Sequence, residues 1–151
     1  MYKVESFSLD HTKVRAPFVR RCCVLKGSKG DVVSKFDLRF VQPNKELMDM
    51  RAVRTMEHLL AENMRDKMEN IIDLSPMGCR TGFYLVMWGD VDAKTIKEGL
   101  ERALEKVLKA DKMIAATSVE CGNYRDLSLF GAKEYAKYVL EQGFSLNIYG
   151  E

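Results

Sequence analysis

The chain has 151 residues, a length that suits one domain with a substantial hydrophobic core. Hydrophobic residues make up 46% of it and charged residues 30%, which is ordinary for a globular protein and unlike a disordered chain. The formal net charge of +2 lacks the strong basic excess of nucleic-acid-binding proteins and gives no reason to expect a membrane surface as partner.

The N-terminal segment has no apolar core of the kind found in signal peptides. The longest apolar run in the chain, residues 83–88, is too short to span a bilayer. None of the four cysteines belongs to a Cys-x-x-Cys pair. We therefore expect a cytoplasmic protein with reduced thiols and no membrane segment.

The first part of the chain predicts a β-hairpin. Residues 17–25 and 31–41 are rich in Val, Phe and Leu, and the turn residues 27–30 separate them. Side chains alternate between the two faces of a strand, so the second strand should have a polar and an apolar face. The polar face carries Val33, Lys35, Asp37 and Arg39, and the apolar face carries Phe36, Leu38 and Phe40. The polar face is the one expected to look into a site.

The rest of the chain predicts two more strands and three helices. These are a helix over 46–69, strands over 71–74 and 80–88, a helix capped by Asp92, a loop over 111–125, and a helix over 128–142 ended by Gly143. Hairpin signals and helices in separate runs predict an α+β fold. We expect residues 1–151 to form a compact single domain, with a mostly antiparallel sheet packed against three helices.

The first predicted helix contains the segment Arg54-Thr55-Met56-Glu57-His58. Its spacing is that of a His-x-x-Glu-His metal-binding helix, except that an arginine replaces the first histidine. Positions 54 and 58 share one face of a helix, and Glu57 stands beside them as a candidate general base. Arginine has no lone pair for a metal and stays protonated, so one ligand of the expected site is missing.

Two cysteines outside this helix are further candidates. Cys79 and Cys121 each lie next to a glycine in a predicted loop, where backbone can approach a ligand closely. Thiolate and imidazole donors together suit zinc or ferrous iron. These residues alone indicate a metal-dependent hydrolase or isomerase. The competing interpretation is that His58 is an ordinary polar residue of an amphipathic helix.

Five segments, in order along essentially the whole chain, resemble the LuxS family of S-ribosylhomocysteine lyases. They are residues 4–11 (VESFSLDH), 36–44 (FDLRFVQPN), 55–59 (TMEHL), 75–85 (SPMGCRTGFYL) and 121–126 (CGNYRD). One such segment could arise by chance, whereas five in order at compatible spacing form a specific signal.

The resemblance implies an activity. The family cleaves the thioether of S-ribosylhomocysteine to homocysteine and 4,5-dihydroxy-2,3-pentanedione, the precursor of autoinducer-2. Two enolisations move a carbonyl along the ribose before the thiol is eliminated. A divalent metal stabilises the enediolate, and ferrous iron is the metal implied here, with zinc or cobalt as substitutes. The resemblance also implies a homodimer whose active sites are shared between subunits.

The resemblance assigns roles to eight residues of this sequence. Glu57 and Cys79 match the acid/base pair, and His58 and Cys121 match two of the metal ligands. The positions that match the substrate pocket are Ser6, His11, Arg39 and Asp73. In the shared sites, Ser6 and His11 are expected opposite the metal helix of the partner subunit.

Arg54 departs from the family pattern. Losing a ligand should lower metal affinity by at least about 10–100-fold, the cost of losing a mere supporting partner, and a fixed cation repels a metal ion. Arg54 could instead take over the electrostatic role of the metal, by polarising a substrate oxygen or by pairing with Glu57. Pairing with Glu57 would lower the pKa of that carboxyl group.

Two alternatives to the lyase follow from the same residues. The first is a LuxS-like pseudoenzyme that binds a homocysteine-type ligand without turnover, because Arg54 replaces a metal-ligand histidine. The second is a metallopeptidase, because zinc peptidases also use an inverted spacing of this kind. The small size of the chain and the other LuxS-like segments count against the peptidase.

Overall fold

The computed structural model describes residues 3–150. Its elements are a short 3₁₀ helix Glu5–Phe7, β1 Phe18–Lys26, β2 Val32–Arg39, α1 Met50–Arg65, β3 Ile71–Pro76, β4 Gly82–Trp88, α2 Ala93–Lys109 and α3 Leu129–Gln142. The four strands form one antiparallel sheet in the order β1-β2-β4-β3. The predicted α+β fold, with an antiparallel sheet and three helices, is therefore confirmed.

The helices cover one face of the sheet. The apolar residues of β2 predicted to point together, Phe36 and Leu38, are fully buried, as are Phe83 and Leu85 of β4. They join one hydrophobic cluster with the inward residues of all three helices. On the opposite face, Asp37 and Arg39 are also buried. The predicted alternation of apolar and polar side chains along β2 is confirmed. The polar face is more buried than the solvent-facing side of an antiparallel sheet usually is.

Helix α1 is shorter than the predicted 46–69. It begins at Met50 because the Asp49 carboxylate accepts hydrogen bonds from the backbone N–H of Arg51 at 3.0 Å and Ala52 at 3.3 Å. It ends at Arg65, and Met68 turns away to pack on α2. A Cβ on Gly99 of α2 would lie 2.5 Å from the Met68 sulfur, so a larger residue there would require the Met68 side chain to shift.

The other helix ends agree with the sequence. Asp92 caps α2 by accepting a hydrogen bond from the Thr95 N–H at 2.7 Å. Gly143 ends α3 with a positive φ of 74°, a conformation that favours glycine. Within residues 3–150, none of the helices has the length and apolar character that crossing a bilayer demands.

Strand β2 ends two residues before the predicted boundary at 41. The N–H groups of Phe40 and Val41 both donate to the Thr81 carbonyl, at 2.9 and 3.1 Å, instead of continuing a strand ladder. Gly82 lets β4 approach β2 here, because a Cβ would lie 2.2 Å from the Leu38 carbonyl oxygen. These contacts hold the turn before β4, which contains Cys79, against the end of β2.

Candidate active site

A cavity of about 360 Å³ opens at the end of β2. Three residues singled out by the sequence line it, namely His11, Arg39 and Cys79, and Thr81 lies between the last two. The remaining wall comes from residues 43–47, which follow β2. The cavity therefore joins a nucleophilic or proton-transferring thiol, an imidazole and a guanidinium.

Arg39 is held rigidly in the wall of this cavity. Its Nε and Nη2 donate to the two carboxylate oxygens of Asp37, at 3.1 and 2.7 Å, and its Nη1 donates to Thr81 Oγ1 at 2.9 Å. A guanidinium has five N–H donors, so others on Nη1 and Nη2 stay available for a ligand oxygen. Arg39 is thus a preset, charge-compensated binding group.

Thr81 connects Arg39 to Cys79, a role that sequence reasoning missed. Its hydroxyl oxygen accepts from Arg39 and lies 3.0 Å from the Cys79 sulfur. Because the guanidinium can only donate, the hydroxyl hydrogen of Thr81 can point to the sulfur and stabilise a thiolate. Nothing in the sequence marks Thr81 except its place two residues after Cys79.

Replacing Thr81 by valine should slow the alkylation of Cys79 by iodoacetamide roughly tenfold, because hydrogen bonds to charged groups contribute about 1.5–3 kcal/mol. Peptide mass mapping at a fixed pH would follow each cysteine separately. Burial raises the pKa of the Cys22 thiol to about 12, so that residue should stay unreactive. Thr81→Ser should restore the rate, and an unchanged rate in Thr81→Val would remove Thr81 from this role.

The N-terminal segment is tied to the polar face of the sheet. Glu5 forms an ion pair with Arg20 of β1, whose Nη2 also lies 3.3 Å from the Asp37 carboxylate. Ser6 lies near Tyr84 of β4, where burial raises the pKa of the phenol and Ser6 opposes that rise. Ser6 is thus placed on the same polar face as Arg39.

His11 is oriented by the backbone. Its Nδ1 lies 2.9 Å from the carbonyl oxygen of Leu9. A carbonyl can only accept, so Nδ1 carries the hydrogen and Nε2 keeps a lone pair. His11 can therefore accept a hydrogen bond from a hydroxyl-bearing ligand in the cavity.

The second group of candidates lies on α1 and includes Glu57 and His58. The Nδ1 of His58 donates to the Ile114 carbonyl at 3.2 Å, which leaves its Nε2 lone pair available. Burial raises the pKa of the Glu57 carboxyl above its ordinary value; the charges of His58 and Arg54 oppose this rise, and that of Asp73 adds to it. Asp73 is exposed on β3.

Arg54 does not form the pair with Glu57 that the sequence allowed. Its Nη1 donates to the Asp126 carbonyl and lies 3.6 Å from the Asp126 carboxylate, and its Nη2 donates to the Asn123 carbonyl at 2.7 Å. The same Nη2 lies 3.5 Å from the sulfur of Cys121. Because the loop after α2 engages the guanidinium, burial dominates at Glu57 and raises the pKa of its carboxyl group, and the charge of Arg54 only opposes that rise.

A divalent metal does not fit the residues gathered here. Zinc sites in proteins use at least three protein ligands, whereas no group of three His, Cys, Asp or Glu residues within 3–150 converges to hold an ion. His58 and Cys121 keep suitable donor atoms, but the Arg54 guanidinium lies against the Cys121 sulfur. Residue 54, the expected third ligand, therefore brings a positive charge and no electron pair for a metal.

The candidate residues thus form two groups on the chain. The cavity wall includes His11, Arg39 and Cys79, while Glu57 and His58 of α1 lie outside that wall. An active site that used residues of both groups would require the cavity wall and α1 to face each other.

Comparison with known proteins gives consistent results over the whole chain. A sequence model of the family described as S-ribosylhomocysteinase (LuxS) matches residues 4–149. A protein of Clostridioides difficile (strain 630) is 72% identical over 100% of both chains, and one of Clostridium botulinum (strain Alaska E43 / Type E3) is 66% identical over the same share. A protein of Enterococcus faecalis (strain ATCC 700802 / V583) is 53% identical over 97% of this chain and 96% of its own. All three carry the name S-ribosylhomocysteine lyase.

Proposed function

Because this chain belongs to the LuxS family, we propose that it is an S-ribosylhomocysteine lyase, formed by one LuxS-like domain over residues 1–151. The observation that carries this conclusion is the family match over residues 4–149, reinforced by 72% identity to a relative of the same name. The match rules out the metallopeptidase. The pseudoenzyme has no support of its own, since the relatives above are all named as lyases.

The reaction requires proton transfers to and from carbon. It needs no external oxidant or reductant, because the carbonyl only changes its position within the sugar before the thiol leaves. In each isomerisation, a proton leaves the carbon next to the carbonyl and another is returned to the former carbonyl carbon. Once the carbonyl stands two bonds from the carbon that bears sulfur, loss of the intervening proton lets the carbon–sulfur bond break. Sulfur leaves with the electron pair and is protonated to homocysteine, and the remaining enol becomes 4,5-dihydroxy-2,3-pentanedione.

Glu57 and Cys79 are the proposed acid/base pair for these transfers. A carboxyl group with a raised pKa both accepts and returns protons near neutral pH more readily than an ordinary glutamate. The exposed thiol of Cys79 has the Thr81 hydroxyl to stabilise its thiolate form. Each residue thus has a local environment suited to proton transfer.

The proposed substrate-binding residues are Ser6, His11, Arg39 and Asp73. Arg39 is suited to the carboxylate or the hydroxyl oxygens of the substrate, because its charge and direction are fixed by Asp37. His11 and Ser6 would accept or donate hydrogen bonds to ribose hydroxyls. Asp73 would contribute a carboxylate beside Glu57.

The family is associated with a divalent metal. The resemblance implies that this metal is ferrous iron, with zinc or cobalt as substitutes. The donors of this chain do not complete a site for such an ion. We therefore assign no step to a metal, and derive the proton transfers from Glu57 and Cys79 alone.

Release of homocysteine from S-ribosylhomocysteine, measured with a thiol reagent against an enzyme blank, tests the proposed function. One thiol should be released per substrate consumed. S-adenosylhomocysteine is a matched control that should stay intact, because its blocked anomeric carbon cannot provide a carbonyl. Substrate that binds in calorimetry and is recovered unchanged would contradict the lyase and favour a binding protein.

We place the enzyme in the cytoplasm, because Cys79 must stay reduced to exchange protons. Homocysteine would return to the methionine cycle. The dione would serve as the precursor of an autoinducer in quorum sensing.

A homodimer with shared active sites would unite the two groups of residues. In that arrangement, Ser6 and His11 of one subunit lie opposite α1 of the partner. The exposed apolar side chains beside Ser6 support such a contact, since Phe7 is 84% exposed and Val4 is 48% exposed.

Mixing His11→Ala chains with Glu57→Gln chains should restore about a quarter of the wild-type activity if the sites are shared. Half of the randomly formed dimers are mixed, and one of their two sites then has both residues intact. Mixing His11→Ala with the double variant His11→Ala/Glu57→Gln is the control and should restore nothing. Dimers shown to exchange subunits without any recovery would contradict shared sites.

A further inference from the structure

We propose that the Arg54 guanidinium is the resident cation of this site, holding the Cys121 loop where a divalent metal ion would otherwise bind. This inference concerns the same site as the proposed function and rests on that function only for the identity of the substrate. It predicts that the chain folds, and holds the Cys121 loop against α1, without a divalent metal.

Within residues 3–150, the hydrogen bonds and ion pair of the Arg54 side chain go to one loop. Within residues 121–126 the guanidinium reaches two backbone carbonyls, one sulfur and one carboxylate, contributed by Cys121, Asn123 and Asp126. The loop itself has neither helix nor strand. A metal ion bound by Cys121 would attach this loop to α1, and the arginine makes the same connection with hydrogen bonds.

A comparison with Arg51, one turn earlier on α1, shows that this arrangement is particular to Arg54. Arg51 also pairs with Asp126, through its Nε at 3.1 Å from the carboxylate, but 66% of its side chain is exposed. The side chain of Arg54 is only 18% exposed and reaches Cys121. Arg51 therefore forms an ordinary surface ion pair, whereas the Arg54 side chain is largely buried against the Cys121 loop.

A divalent ion would have to displace these hydrogen bonds and remain beside a fixed positive charge, and both effects oppose binding. His58 and Cys121, however, keep their donor atoms, because the Ile114 carbonyl holds His58 with Nε2 available. Arg54→His would supply the missing third ligand. The chain is therefore one substitution away from a complete two-histidine, one-cysteine set.

Metal content tests the inference directly. Wild type, Arg54→His and Arg51→His would be produced with added cobalt, purified without oxygen, and analysed by mass spectrometry for metal per chain. Wild type and Arg51→His should hold none, whereas Arg54→His should hold about one ion per chain and show a thiolate-to-cobalt absorption band. Wild type with about one ion per chain, lost in Cys121→Ser, would overturn the inference.

Thermal unfolding and amide hydrogen exchange in the Cys121 loop provide readouts that do not depend on turnover or on the folding of Arg54→His. A chelator should leave the melting temperature of wild type unchanged. Arg54→Gln should increase the rate of amide hydrogen exchange in residues 121–126 several-fold, because the loop is released from α1, and Arg51→Gln should not. A melting temperature of wild type that falls with chelator would overturn the inference.

Homocysteine release in the same samples separates this inference from the proposed function. Homocysteine release by wild type in the presence of a chelator would support both the lyase function and the role of Arg54. Release by metal-loaded Arg54→His alone would contradict lyase activity in this chain while supporting Arg54 as the bound cation. Release by wild type that requires added metal would overturn the inference and leave the lyase standing.

Discussion

Replacing Glu57 by glutamine should reduce homocysteine release from S-ribosylhomocysteine by about 10²–10⁴-fold, the range expected for loss of a general acid/base. Glutamine keeps the size and hydrogen-bonding reach of the side chain but cannot carry the proton. Burial on α1 raises the pKa of the Glu57 carboxyl, so its environment suits a group that returns the proton it removes. The measurement is kcat/KM from steady-state thiol release.

Glu62→Gln is the matched control for this variant. Glu62 also lies on α1 but is exposed to solvent, so its replacement should leave the rate unchanged. Calorimetry should show that Glu57→Gln still binds the substrate, since the expected loss is in proton transfer. A Glu57→Gln enzyme that retains most of its activity would assign the acid/base role elsewhere.

Replacing Asp37 by asparagine should destabilise the fold by about 3–5 kcal/mol, the cost of leaving a buried charge without its partner. Asp37 is fully buried, forms a two-point pair with Arg39 and also contacts Arg20 at 3.3 Å. Asparagine keeps the shape and removes the charge that compensates the buried Arg39 and the partly buried Arg20. Urea unfolding followed by circular dichroism would measure the difference.

Asp90→Asn is the control for the stability prediction. Asp90 pairs with Arg21 at 2.6 Å, but its side chain is 68% exposed, so the loss should stay below about 1 kcal/mol. Asp37→Asn should also weaken substrate binding, because Arg39 loses the group that fixes its direction. An equally small effect at both positions would mean that the buried carboxylate does not hold the polar face together.

Much of the fold could be predicted from local sequence patterns. The alternation that buries Phe36 and Leu38 operates over neighbouring residues, and so do the caps at Asp92 and Gly143. The end of β2, which differed from the predicted boundary, was set by a distant contact. Strand β2 ends early because Thr81 receives the N–H groups of Phe40 and Val41 across the sheet.

The candidate site divides in the same way. The sequence by itself determined which functional groups Glu57, Cys79, His58 and Cys121 offer, because residue type decides which side chains can exchange a proton or donate an electron pair to a metal. It also showed that Arg54 cannot be a ligand. Tertiary structure alone decided that Arg54 bonds to the loop of Cys121, that Thr81 bonds to Arg39, and that Asp37 also pairs with Arg20. These contacts join residues far apart in the chain or in different strands, and only the packing of helices, loops and sheet brings their side chains within hydrogen-bonding distance.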